Sequence, residues 1–202
     1  MNIKNVVFSI QGTTPLLLNN FTDAAQLAAT SGSSSAIRGD KGTPLEQATT
    51  KLYRSSDGKK LIVPQPNFFR CIIDAGKFFK AGKSKITTQK SSLIPACVEI
   101  QGIELLITHK EPWTVDTRAV RIPSTGGRIL CYRPCFHDWK LENIQASVDI
   151  DMLPLKLFRE LLDSAGRQIG LGDFRPDCKG PFGKFCIVKW EEEKEAKGKK
   201  AA

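Results

Sequence analysis

The hydrophobic positions of this sequence change period several times, and each change marks an expected element. Residues 2–11 are rich in β-branched and aromatic side chains and predict an opening strand, followed by Pro15 and the apolar residues 16–18. Residues 19–43 then turn small and polar, with a Ser/Gly run at 31–35. They read as a long mobile loop, serving either as a linker or as a partner contact. Thr43 and Pro44 supply an N-cap and a first-turn proline for a short helix over 45–54. Asp57-Gly58 predicts a turn, 60–63 a short strand, and Pro64-Gln65-Pro66 its stop, after which Asn67 caps a helix over 68–80. Phe69, Ile72, Ile73 and Gly76 recur there at helical spacing, with Arg70, Lys77 and Lys80 on or beside other faces.

Residues 81–92 form a basic Gly/Ser/Thr/Lys loop, and 96–109 alternate as one strand, or as two that turn at Gln101-Gly102. Strand-like stretches at 115–122 and 128–133, joined by 123–127, predict a long β-hairpin within an excursion over 111–150, and 148–150 begin a further strand. Pro154 opens an amphipathic helix over 155–166, with Leu157, Phe158, Leu161 and Leu162 inward. A glycine-rich stretch, 166–183, leads into a last strand over 185–190. The segment 191–202 alternates Glu and Lys without an apolar anchor and reads as a charged flexible tail. With no repeat and no second linker, the expectation is a single α+β domain over residues 1–190.

The composition suits that expectation. A chain of 202 residues, 41% apolar and 25% charged, can bury one core, which excludes a disordered or fibrous protein. No apolar run reaches membrane-spanning length, and residues 1–8 lack the apolar region of a signal peptide, so six free thiols and a cytoplasmic location are expected. Charge changes the picture more. Thirty Lys+Arg against 21 Asp+Glu leave +9, which suits a polyanionic partner. Residues 51–90 hold ten of the basic side chains and only Asp57 and Asp74 against them. The hairpin adds Arg118, Arg121, Arg128 and Arg133, with Trp113, Tyr132 and Trp139 nearby. Arginines interleaved with aromatics neutralise phosphates and stack on bases; the competing reading is a solvated basic face.

Catalytic patterns are poorly represented. Cys131, Cys135 and His137 lack a second ligand pair, so no metal is expected. His109 and His137 form no zincin pattern, and Asp23, Asp40, Asp173 and Asp177 read as loop-forming acids. Gly170-Leu171-Gly172 follows a helix and precedes a strand, the reverse of a dinucleotide fingerprint. Neither a catalytic residue nor a cofactor is expected.

The sharpest local signal is the glycine-rich stretch. Gly170, Gly172, Gly180 and Gly183 allow positive φ and close backbone approach, and successive N–H groups can form an anion-binding nest. Arg167, Arg175, Lys179 and Lys184 supply charge beside them. The alternative is a turn needed only for helix-to-strand packing. Residues 179–185 also share part of the RNP1 pattern, but on the C-terminal strand rather than a central one.

A helix, a G-x-G loop and then Gly180-Pro181-Phe182-Gly183-Lys184-Phe185 entering the last strand resemble the C-terminal end of the CRISPR-associated RAMP superfamily. Residues 57–70, a short strand ending in proline before a basic helix, are similar to a segment of RAMP backbone subunits, and the opening strand with Pro15-Leu16-Leu17 fits as well. The resemblance implies a ferredoxin-like β-α-β-β-α-β core, also described as RRM-like, with the hairpin as a thumb-like projection. It further implies a non-catalytic backbone subunit that coats a single-stranded guide RNA. Copies would pack head to tail beside other effector-complex subunits, possible target nucleic acid would be a further partner, and no membrane would be involved. Arg70, Lys77 and Lys80 would track phosphates from the helix, Arg118, Arg121, Arg128 and Arg133 from the hairpin, and the 167–184 loop would grip the strand. The polar loop 19–43 lacks the family pattern, so Asp23 and Asp40 receive no cleavage role. The same charges also suit a phage-type single-stranded DNA-binding or annealing protein, and a related fold serves guide-processing ribonucleases.

Overall fold

The computed structural model describes residues 2–21, 42–121 and 126–192. Strand β1 (Ile3–Gly12) lies between β10 (Lys140–Asp149) and β11 (Phe185–Glu192), antiparallel to both. The far side of β10 carries β6 (Val98–Ile100) and β7 (Glu104–Thr108), and β7 is bordered by β3 (Ile62–Pro64). Helix α2 (Gln65–Ala75) comes between β1 and β6, and α4 (Leu155–Ser164) between β10 and β11. The result is an α+β fold with a ferredoxin-like β-α-β-β-α-β order, the final strand beside the first. Phe8 of β1 sits beneath both helices, its ring centroid 6.2 Å from Phe68 of α2, 6.3 Å from Phe158 of α4 and 5.8 Å from Trp190. One continuous apolar core runs through these elements.

Several expected boundaries move for identifiable reasons. Helix α2 begins within the supposed Pro64-Gln65-Pro66 stop, because a proline in the first turn loses only an N–H that has no helical partner. Asn67 is therefore inside the helix, not its cap. The α-helix ends at Ala75, and Gly76–Phe78 continue as a 3₁₀ turn. Helix α1 (Pro44–Thr50) is shorter than expected but has the full Thr43/Glu46 capping box. Strands β6 and β7 do form, yet Gln101-Gly102 does not reverse the chain. Both strands run antiparallel to β10, as two successive stretches along one edge.

The larger correction is β10, which the sequence placed inside a 111–150 excursion. Only β8 (Thr114–Arg121) and β9 (Arg128–Phe136) form the projecting hairpin, while Lys140–Asp149 run through the middle of the main sheet. A bulge hides this strand from a period-two search. Ile10 and Phe8 oppose Leu141 and Ile144, so one extra residue interrupts the alternation, and Asn143 there takes φ 53°. The hairpin's base is tied to the body by β2 (Leu16–Leu17), which pairs with Cys135 and Phe136. The basic 81–92 loop contains a small hairpin of β4 (Lys80–Ala81) and β5 (Ser84–Lys85), and α3 (Ile94–Cys97) leads into β6. Most of the 19–43 loop with Asp23 and Asp40, the hairpin tip and nearly all of the 191–202 tail lie outside the described residues. Among the described residues, no helix is long and apolar enough to cross a membrane.

Candidate nucleic-acid interface

The segment around α2 and the glycine-rich stretch, distant in sequence, face each other across an open cleft of about 260 Å³. Asn67, Arg70 and Asp74 reach it from α2, and Gly170, Gly172, Asp173 and Arg175 from the glycine-rich stretch; Asn19 and Tyr53 also line it. The walls are brought together by core packing. Cys71 points from α2 beneath the loop, its Sγ donating at 3.3 Å to the Gly170 carbonyl, and Ile169 and Leu171 are buried beside it. Burial pushes the Cys71 thiol above its ordinary range, so this cysteine packs as a neutral group.

The basic side chains at the cleft are held by acids. Arg70 Nε donates to both carboxylate oxygens of Asp74, one turn on, at 3.1 and 3.0 Å. The Arg70 side chain is still 71% exposed, so the guanidinium can exchange this partner for another anion. Lys77 Nζ donates to Asp177 at 2.9 Å, and Arg175 lies 3.6 Å from the other oxygen of that carboxylate. The hydrogen bond from Lys77 holds Asp177 below the usual carboxylate range.

The arginines of the hairpin divide. Arg133 is 4% exposed, and its guanidinium donates to Asp116 at 3.0 Å and Asp173 at 2.8 Å. Its burial opposes the charge, but the hydrogen bond and attraction from Asp173, with Asp116 adding to them, outweigh that and raise its affinity for the proton. The expected phosphate-contacting role of Arg133 is thereby corrected: the side chain is buried with both terminal nitrogens committed to acids, and the residue bolts β9 to the glycine-rich loop. Arg118 pairs with Asp116 and lies over the Phe182 ring at 4.8 Å, remaining exposed on its outer side. Arg121 and Arg128 stand opposite each other at the far end of the hairpin, well exposed.

The glycines also need correction. Gly170, Gly180 and Gly183 spend their N–H groups on the carbonyls of Ala165, Arg175 and Pro15, so they cannot form a nest for an external anion. They are there for close packing. A Cβ on Gly183 would lie 1.8 Å from the Leu171 oxygen, and one on Gly180 1.8 Å from that of Phe174. Gly172, with φ +72°, lets the loop close on Leu17, whose carbonyl accepts from Asp173 N. The cleft thus gathers Arg70, Arg175, Gly170 and Gly172, with Lys77 joined through Asp177. Arg167, Lys179 and Lys184 flank the loop without lining the cleft, and Lys80 belongs to the small hairpin. Asn19 and Tyr53 had no motif to announce them, and the i,i+4 spacing of Arg70 and Asp74 is the signal that could have shown their pairing.

Cys131, Cys135 and His137 do not converge. Cys131 accepts from Lys51 Nζ at 3.1 Å, while His137 meets Thr114 Oγ1 at 3.0 Å, with Cys135 at 3.9 Å. Among the described residues no group of three potential ligands could hold a metal.

The strand order, the projecting hairpin and the loop closing on the first core helix together define a ferredoxin-like α+β fold with a hairpin addition. No family model matches the sequence, and no curated protein matches it. Among solved structures, the chain is similar to one in the "Cryo-EM structure of the Type III-B Cmr-beta bound to cognate target RNA", with a TM-score of 0.54 and 10% identity. The match covers 95% of this chain and 61% of that one, so the chain spans about three fifths of its neighbour's length. The likeness is one of fold.

Proposed function

We propose that this protein is a non-catalytic subunit that binds single-stranded RNA, a guide RNA, and packs head to tail with copies of itself in an RNA-guided ribonucleoprotein. The observation that carries this reading is the cleft. Two segments that independently resemble RAMP motifs meet there, bringing Arg70 of one and Arg175 of the other to the same cleft, which Tyr53 also lines. The exposed guanidinium of Arg70 can neutralise a phosphate, with the partly exposed Arg175 across from it, and an aromatic face stacks on a base whatever its identity. Arg118, Arg121 and Arg128 extend the basic surface along the hairpin, and Arg167, Lys179 and Lys184 extend it along the loop. The fold likeness to a chain of a complex bound to cognate target RNA supports an RNA partner and an effector-complex setting. No residue is assigned a chemical step on the strand, and sequence is left to base pairing.

The test is purification of the full chain, extraction of bound nucleic acid, and titration of labelled oligo(U) and oligo(dT) of equal length over a salt series. Bound RNA of defined length, and an RNA affinity that falls steeply with salt and varies little with sequence, are expected. Sedimentation with and without RNA reads the self-association. Preference for DNA would favour the single-stranded DNA-binding reading, and specific cleavage of a structured RNA would favour the ribonuclease. Salt-independent binding would exclude all three.

A further inference from the structure

Beyond the cleft, the molecule carries a second concentration of positive charge, of which the site just described takes up only Lys77. Between Asp74 and Glu99 the chain has five lysines and no acidic residue. Lys77, Lys80, Lys83, Lys85 and Lys90 are all exposed, and among the described residues only Lys77 has an acidic partner. Lys80 and Lys85 are directly paired across β4 and β5, with Lys83 at the turn beside Gly82. Like charges opposite each other on a two-stranded ribbon repel, so this placement weakens the isolated hairpin.

The hairpin is nevertheless firmly mounted. Ile86 and Thr87 are buried at its base, where Ile86 N donates to Phe79 O at 3.0 Å and Thr87 N to Gly76 O at 3.2 Å. Thr87 Oγ1 and Ser92 Oγ are 2.8 Å apart, and Leu93 N donates to Ile86 O. Gly76 allows this approach, since a Cβ there would lie 2.3 Å from Thr87 Oγ1. Beside the lysines stands Phe78, 51% exposed, with Lys77 Nζ 5.2 Å from its ring centroid. Lys77 links this finger to the cleft, because its partner Asp177 also faces Arg175.

The structure assigns to this lysine finger a second single-strand contact, in which Lys80, Lys83 and Lys85 take successive phosphates and Phe78 stacks on a base. It deepens the RNA-binding reading above and rests on it. A strand leaving the cleft past Arg175 and Lys77 meets Phe78 and then the finger. The anion relieves the repulsion between Lys80 and Lys85 that the free protein bears. Phe78 selects a single strand over a duplex, because only an unpaired base offers its face.

The test uses the full chain and two variants, Lys80→Gln/Lys83→Gln/Lys85→Gln and Arg70→Gln/Arg175→Gln, each titrated with labelled oligo(U) across a salt series. Loss of three phosphate contacts lowers the magnitude of the log–log salt slope by about 2 in the finger variant, since each single-strand phosphate contributes about 0.7. Its thermal midpoint should equal or exceed that of the unsubstituted protein, because a repulsive pair has been removed. Phe78→Trp gives a direct readout: its added fluorescence is quenched by oligo(U) and is not quenched by a duplex. If the finger variant keeps the full slope while the cleft variant loses its share, the finger assignment falls and the cleft reading stands. If the cleft variant is unchanged and the finger variant loses its slope, the cleft reading falls instead. Absence of oligo(U) binding by the unsubstituted chain overturns both.

Discussion

Arg133→Met isolates what the buried guanidinium does, because methionine keeps much of the apolar stem and removes the charge. The arginine side chain is 4% exposed, and its two partners differ: the Asp116 side chain is 10% exposed and that of Asp173 34%. Removing one member of a fully buried ion pair typically costs about 3–5 kcal/mol, since the other charge is left unsolvated. Neither carboxylate is fully abandoned here. Asp116 keeps Arg118 at 2.8 Å, and Asp173 keeps the Asn19 amide at 3.1 Å and a share of solvent. The expected loss is therefore about 2–3 kcal/mol, or a fall in thermal midpoint of roughly 5–10 °C for a chain of this size. Urea denaturation monitored by circular dichroism measures it. RNA binding supplies an independent check. Arg133 is itself buried and is assigned no phosphate, so the salt slope should match that of the unsubstituted protein at a temperature where both are folded. A stability loss below about 1 kcal/mol, or a slope reduced by about 0.7, would refute the assignment of Arg133 as a bolt and return it to the phosphate-binding set.

Asp177→Asn should tighten oligo(U) binding and increase the magnitude of the salt slope by up to about 0.7, because Lys77 and Arg175 lose a competing carboxylate. The lowered proton affinity of Asp177 also fixes the sign of a pH effect. Its contribution to stability is present above the ordinary carboxylate value and is lost as pH falls through the depressed folded value, so acid melts of Asp177→Asn should fall less steeply. Gly183→Ala should destabilise by more than about 2 kcal/mol, since it adds a backbone clash to a positive φ, whereas Gly82→Ala, with open space around it, should cost only about 1. Thermal melts of the two variants separate these cases.

The fold was legible where local period and burial agree. Strand β1 and helix α4 each show one apolar face to the core, and their patterns announced them. Strand β10 did not, because the bulge at Asn143 changes the spacing of its buried residues from two to three between Leu141 and Ile144. The same interruption occurs in β11, where Phe185 and Ile187 face inward but the next large inward residue is Trp190. Such bulges answer to a partner strand, and only the partner shows where the extra residue goes. Gln101-Gly102 misled for a related reason. Glycine with φ +76° can reverse a chain or merely offset it, and here the neighbouring β10 determines the outcome.

The site was legible as charge and illegible as pairing. Counting lysines and arginines located the basic segments, yet which cations remain available depends on acids far away in sequence. Asp173 neutralises Arg133 from 40 positions on, and Asp177 reaches Lys77 from 100 positions on. The opposite face of the sheet shows the same point in reverse. Ser147 Oγ donates to Asn5 there, and Glu99 and Glu142 are exposed in the strands around them, whereas Glu191 is met by Lys189 at 3.3 Å. The net +9 therefore does not by itself say which cations stay open to a partner. On the proposed reading, a phosphate arriving at Arg70 or Lys77 must displace Asp74 or Asp177, and such an exchange costs little at Arg70, whose ion pair stands largely in solvent.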